Sequence, residues 1–356
     1  MLINCACLAG RDLRFLEEAH IEIEKGKIAA AGAGFKRSGM DLREYLAIPG
    51  LINAHTHIGD SFAKEACIGL RVREAVGRGG RKWELYREAD SEQTISAMRA
   101  SAKQMTRSGI TAFADFREGE LEGLKALRQA VKGMPIKAVA LGRDLEGGLE
   151  DCDGLGLNTY QLDQIPKDRK GKIIAVHAGE EAGEIGKALK HDPDIIVHYT
   201  HASKKEIIEA GAKGICVVVC PRSNAALSVG FPPVRELIDC GVNVALGTDN
   251  VMINSPDMWR EMEYVSKTAN LYGRRLKPIE VLKMATVNAA KALRINSGAI
   301  EEGRSADIVF MDMNGPGLSN CRDVMAGLVN RCGAEDVACV IADGALAFGK
   351  DSILSH

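Results

Sequence analysis

A chain of 356 residues has room for one (β/α)8 barrel, which takes about 250 residues, with a small companion domain. Its formal net charge of -2, with 46% hydrophobic and 26% charged residues, lacks the basic excess of a nucleic-acid binder and the charged runs of a membrane-surface protein. Ten cysteines without a Cys-X-X-Cys pair, no leader-like apolar stretch in the first thirty residues and no apolar run of ~18 residues predict a reduced, cytoplasmic protein that acts on a small molecule, with no membrane or nucleic-acid partner.

From residue 1 to about 46 the pattern is strand-like. Leu2-Ile3-Asn4-Cys5 is followed by the alternating run Ala19-His20-Ile21-Glu22-Ile23-Glu24, a Lys25-Gly26-Lys27 turn and Ile28-Ala29-Ala30-Ala31-Gly32, which together predict a hairpin. Near the other end, residues 306–312 and 337–344 have the same texture. These terminal strands are expected to meet in one small β-sandwich domain, formed by residues 1–47 from the N-terminal side and residues 306–356 from the C-terminal side, with 48–305 inserted as a second unit.

Within 48–305, apolar runs alternate with helical periods, the βαβα signature of a parallel sheet covered on both faces. Eight strands are predicted, at 50–55, 110–115, 136–141, 154–157, 173–177, 195–198, 215–219 and 242–247. Ser203, three residues before Glu206, has capping-box spacing, and Ser255-Pro256 places a hydroxyl before a proline at a helix start. Ile95, Met98, Ala102 and Met105 keep one apolar face, ended by Gly109. Eight such units without a Gly-X-Gly-X-X-Gly fit a closed (β/α)8 TIM barrel better than an open sheet.

In such a barrel the carboxyl ends of all strands open on one face, so residues distant in sequence converge there. The first strand ends in His55-Thr56-His57, whose two imidazoles point the same way because side chains alternate along a strand. The fifth ends in His177, the sixth in His198 and the eighth in Asp249. Three imidazoles and a carboxylate suit one divalent metal, Zn²⁺ first and Fe²⁺ as the alternative, with a position left for water. His55, His57, His177 and Asp249 are read as the ligands. Hydrolysis by metal-bound hydroxide also needs a proton moved to the leaving group. Glu180, beyond the small spacer Ala178-Gly179, can turn back over the metal for that role, and Asp249 can share it. His198 is read as the group that polarises the substrate, with His201 as its competitor nearer the following helix.

These residues resemble the amidohydrolase superfamily, in its cytosine-deaminase-like branch of adenosylhomocysteine and methylthioadenosine deaminases, guanine deaminase and triazine chlorohydrolases. The resemblance is carried by Pro49-Gly50-Leu51-Ile52-Asn53-Ala54-His55-Thr56-His57, His177-Ala178-Gly179-Glu180, Cys220-Pro221-Arg222-Ser223-Asn224 and Leu246-Gly247-Thr248-Asp249-Asn250. The closing segment, Ala285-Thr286-Val287-Asn288-Ala289-Ala290-Lys291-Ala292-Leu293 with Gly298-Ala299-Ile300-Glu301-Glu302-Gly303, completes it. It implies a barrel with a β-sandwich, one metal, and the roles above. A carboxylated lysine on the fourth strand has no candidate, since no Lys lies between Lys137 and Lys167.

The expected reaction is hydrolytic deamination of a nitrogen heterocycle, purine, pyrimidine or pterin-like. A cyclic-amide or carbon-halogen hydrolase is the alternative at the same site, and a binding scaffold without catalysis a third reading. The stretch 58–90 does not match the substrate motifs of the nucleoside deaminases. It carries Arg71, Arg73, Arg78, Arg81, Lys82 and Arg87 against Glu74 and Glu84, and Arg117, Arg143 and Arg222 follow strands on the same face. Those cations predict an anionic tail on the substrate, with Arg143, Arg81, Asn224 and His198 as contacts; a solvated loop or a subunit contact is the alternative, and a homodimer stays open as the assembly.

Overall fold

The structure, a computed structural model, describes residues 1–143 and 149–349; residues 350–356 of the expected C-terminal segment lie outside it. The chain opens with β1 (Leu2–Ala9), β2 (Arg14–Glu24), β3 (Lys27–Ala33) and β4 (Met40–Pro49). The barrel strands follow as β5 (Leu51–His57), β6 (Ile110–Arg117), β7 (Lys137–Gly142), β8 (Gly154–Asn158), β9 (Ile173–Ala178), β10 (Ile195–His198), β11 (Cys216–Val219), β12 (Val244–Leu246) and β13 (Asp249–Asn250). The chain returns through β14 (Ile308–Asp312), β15 (Val337–Ala342) and β16 (Ala345–Gly349).

Each predicted barrel strand is present. Sequential neighbours pair in parallel from β5 to β12, and β13 pairs back onto β5 through Asp249 with Thr56 and Asn250 with His57. β12 and β13 are therefore one eighth strand, interrupted at Gly247-Thr248. Its bridging amides show the closure: Gly247 N–H donates to Val219 O on β11 at 3.0 Å and Thr248 N–H to His55 O on β5 at 3.1 Å. The Asn53 side chain locks the seam, accepting from Thr248 N–H and donating to Thr248 Oγ1. Ile52, Ala112, Ala114, Leu141, Val197 and Val218 fill the barrel interior, and the alternate residues Leu51, Phe113, Ile196 and Val217 meet the outer helices.

The terminal strands form one seven-stranded sheet in the order β16-β15-β14-β4-β1-β2-β3. Along β1, Ile3, Cys5 and Cys7 enter the small domain's own core while Ala6 and Leu8 face the barrel's helices, the period of two that a strand imposes. The sheet curls on itself. Ala306 N–H donates to Gly26 O in the turn between β2 and β3, and Gly344 N–H, in the turn between β15 and β16, donates to Ala306 O. The fold is thus a TIM barrel with a small β-domain built by both termini. β4 runs on to Pro49, past the expected break after residue 47.

The capping box at Ser203 and Glu206 is present, and Met98, Ala102 and Met105 bury one face of the helix Ser91–Arg107. The start predicted at Ser255-Pro256 lies two residues further on. Asp257 caps the helix Met258–Leu271, accepting from Trp259 and Arg260 N–H, because an ionised carboxylate there satisfies two free amides at once. Among the described residues no helix is long and apolar enough to cross a membrane.

Candidate active site

β5 is buried along its whole length and delivers His55 and His57 to one point at its carboxyl end. His57 Nε2 lies 3.2 Å from His177 Nε2, and His177 Nε2 lies 3.3 Å from His55 Nε2. Asp249 Oδ1 is 3.1 Å from His55 Nε2 and 3.5 Å from His57 Nε2. Neutral imidazoles do not gather three lone pairs and a carboxylate oxygen without a cation among them. Metal-ligand bonds of ~2.0 Å in a tetrahedron give edges of about 3.3 Å, so these donors fit a divalent ion such as zinc. Two overlapping triads, His55/His57/Asp249 and His55/His177/His198, have ligand atoms within 4.8 Å of one another. Phe116 seals the apolar side, its ring 4.4 Å from that of His55 and 4.5 Å from that of His177. Gly247 is required behind His55, since a Cβ there would lie 2.6 Å from His55 Cβ.

The protonation states suit a metal. Burial above all, then the Lys82 ammonium, pulls His57 down to about 3. Burial likewise lowers His55, and holds His177 well below its ordinary value, so all three rings are neutral. For Asp249 burial acts upward, but the hydrogen bond with His55 and then the charge of His198 win and leave the carboxyl well below the usual range. Ser223 Oγ donates to its other oxygen, Oδ2. His57 Nδ1–H donates to Glu118 Oε1 at 2.6 Å, which frees Nε2 as a lone-pair donor. Glu118 is held in turn by Lys82 Nζ at 2.7 Å and by Arg117 Nη2 at 2.7 Å. Lys82 also reaches Asp60 Oδ2 at 3.4 Å, and Asp60 accepts from Asn250 Nδ2 and Met252 N–H.

Glu180 turns back over this cluster through Gly179, at φ 102°, where an added Cβ would lie 2.9 Å from both Tyr199 Cα and Ile185 Cδ1. Burial pushes its carboxyl up to about 7, against the opposing pull of His198. His198 Nε2 stands 3.7 Å from Glu180 Oε1. Its other nitrogen, Nδ1, donates to Asn224 Oδ1 at 2.9 Å. Burial opposes the charged ring, yet the carboxylates of Glu180 and Asp249 raise its pKa overall. His198 and Asp249 hold left-handed backbone at φ 76° and 63°, strain of the kind that persists at functional sites. His201 is exposed, outside the cluster.

The expected substrate contacts divide. Arg143 is 4% exposed beside His177, Glu180 and Asp249, and its Nε and Nη2 have no hydrogen-bond partner among the described residues. Arg81 is not brought to the site: its side chain is 45% exposed and paired with Glu84. The helix Arg81–Glu88 instead turns the next residue, Lys82, inward at 2% exposure. Asn224 commits both ends of its amide to protein, Oδ1 to His198 and Nδ2 to Thr200 Oγ1, so it positions His198. Arg117 and Arg222 are turned to protein partners, Arg117 to Glu118 and Asp115 and Arg222 to Glu261. Sequence reasoning missed Glu118 and Asp60, of which Glu118, an acid directly after a strand, carried a readable signal; Lys82 was read only as one of a run of cations and Ser223 only as part of a motif, and neither was given its contact with Glu118 or Asp249.

The amidohydrolase family model matches residues 46–154 and 161–347, and the chain belongs to that family. A protein of Methanothermobacter thermautotrophicus named as an aminohydrolase is 34% identical, covering 86% of this chain and 88% of its own length. The 5'-deoxyadenosine deaminase of Methanosarcina mazei is 28% identical over 92% of this chain and 88% of its own. Among solved structures, the atrazine chlorohydrolase of Arthrobacter aurescens, complexed with zinc, superposes with a TM-score of 0.83 at 21% identity, over 99% of this chain and 98% of that one. A zinc-bound adenosine deaminase from Xanthomonas campestris gives 0.80 at 20% identity, covering 100% and 94%.

Proposed function

We propose that this protein is a zinc-dependent aminohydrolase that deaminates a nitrogen heterocycle, with His55, His57, His177 and Asp249 as ligands of a single metal. The convergence of three neutral imidazoles and an ionised carboxylate at 3.1–3.5 Å carries the reading. β8 offers no lysine to bridge a second ion. The metal, when bound, supplies Lewis acidity and an activated water. Glu180, raised toward neutrality, would hold the proton released when water adds to the ring carbon and would return it to the departing amine, as a group with a pKa near the working pH does best. His198, charged and fixed by Asn224, stabilises negative charge on the ring under attack. Arg143 presents Nε and Nη2, the edge of the guanidinium with two parallel N–H donors, to a paired acceptor on the substrate.

The relatives named as deaminases support loss of an amine over ring opening or dehalogenation. The free cysteines support a reducing, cytoplasmic setting. Ammonia release from a panel of aminopurines, aminopyrimidines and aminopterins tests the reading. Glu180→Gln should lose about 10² to 10⁴ in rate while keeping zinc, and His177→Ala should lose zinc as well. Near-wild-type turnover by Glu180→Gln refutes the proton assignment, and a protein that retains no metal after zinc-supplemented expression refutes the whole.

A further inference from the structure

The cavity at the catalytic cluster is small, about 40 Å³ at its innermost point, room for little more than water. A heterocycle must therefore extend outward. From Asn158, His177 and Glu180 the space continues into a cavity of about 240 Å³, and then into an outer chamber of about 540 Å³. Trp83 lines both the innermost and the outer space, and Arg78 and Tyr160 line both the middle and the outer.

Among the described residues the outer chamber has an unbalanced lining: Arg78 and Arg87 face it and no carboxylate does. Other cations of the same segment are paired, Arg73 with Glu181, Arg81 with Glu84 and Lys82 with Glu118, whereas the guanidinium groups of Arg78 and Arg87 have no ion pair or hydrogen bond among the described residues. The loop that carries Arg78 is tightly seated. A Cβ on Gly77 would lie 2.5 Å from Arg73 O and one on Gly80 2.8 Å from Glu74 O. That loop leads directly into the helix Arg81–Glu88, which carries Trp83 and Arg87, four residues apart, on the side that lines the chamber.

We propose that this chamber is a subsite for a phosphate monoester at the far end of the substrate, gripped by Arg78 and Arg87, with Trp83 and Tyr160 flanking the group that joins it to the ring. Two unneutralised guanidinium groups match a dianion better than a single carboxylate charge. The inference rests on the reading that the inner site holds a heterocycle, and makes the substrate class a phosphorylated one, such as a nucleoside 5'-monophosphate.

The test is binding by calorimetry and Trp83 fluorescence to zinc-loaded Glu180→Gln protein, so that turnover does not interfere. The probes are adenosine and guanosine, their 5'-monophosphates, and the 5'-carboxylate analogue of adenosine. The monophosphates should bind on the order of ten-fold tighter than the nucleosides, and more weakly as salt rises. Adding Arg78→Met and Arg87→Met, both exposed positions whose change leaves the thermal melt in place, should remove that preference and spare nucleoside affinity. Equal affinity for phosphorylated and unphosphorylated probes, no binding of any probe, or a preference that survives the double change overturns the subsite. A carboxylate bound as tightly as the phosphate overturns the dianion assignment. Phosphate-selective binding with no ammonia from any monophosphate on the wild-type protein would strike the deaminase reading and leave the subsite standing.

Discussion

Glu118→Gln is the sharpest probe of the metal site, because Glu118 lies outside the proposed ligand set yet decides the tautomer of one member. Its Oε1 accepts from His57 Nδ1 at 2.6 Å and Lys82 Nζ at 2.7 Å, and Oε2 accepts from Arg117 Nη2 at 2.7 Å. A glutamine keeps one acceptor oxygen and turns an NH₂ toward the remaining donors. If the oxygen stays with Arg117, His57 Nδ1–H meets an N–H, and the ring escapes by moving its proton to Nε2, which removes the lone pair a metal needs. Loss of such an orienting carboxylate weakens metal binding by about 10- to 100-fold, or roughly 1.4 to 2.7 kcal/mol. Chelator competition for zinc measures this directly, with the denaturant midpoint of the metal-free variant separating lost affinity from lost stability. A zinc affinity within about three-fold of wild type, in a variant that folds, refutes the argument that Glu118 sets the ring.

Two further outcomes follow from burial. Glu180 must be ionised to accept a proton, so kcat/KM should fall on the acid side; its carboxyl is pushed up to about 7 by burial, and a bound cation draws it lower, so the limb should lie at or below pH 7 and vanish in Glu180→Gln. A limb centred above about pH 8 contradicts the assignment. Glu261, fully buried under Arg222, is raised by burial from 4.5 to about 7 although Arg222 opposes the rise. The folded chain then holds a proton that the unfolded chain has released, so stability is full below about pH 4.5 and falls as pH rises through about 7, by up to about 3 kcal/mol. Urea midpoints at either end of that window should differ less in Glu261→Gln; an unchanged difference refutes the linkage.

Much of the architecture and of the candidate cluster was legible in the residues themselves. Strand periodicity is a local property, and once eight strands run parallel in a closed barrel their carboxyl ends meet, so His55, His57, His177, His198 and Asp249 could be gathered without coordinates. Glu180 was legible for the same reason, one glycine beyond a strand end. The surroundings of these groups were decided by tertiary packing. Arg81 and Lys82 are adjacent on one helix, and only the way that helix docks on the mouth sends Lys82 to Glu118 and leaves Arg81 in solvent, since a shift of one residue rotates a side chain by about 100°. Asn224 has the chemistry of a substrate contact, but its amide is engaged because His198 and Thr200, from another strand end, arrive at both of its faces. Asp257, two residues beyond Ser255, caps the helix because the chain enters it there and the carboxylate accepts from both Trp259 and Arg260 N–H. Sequence specifies which groups a strand end presents; which of them stay unpaired for a ligand depends on every other element that reaches the same buried space, and that is a property of the packed chain alone.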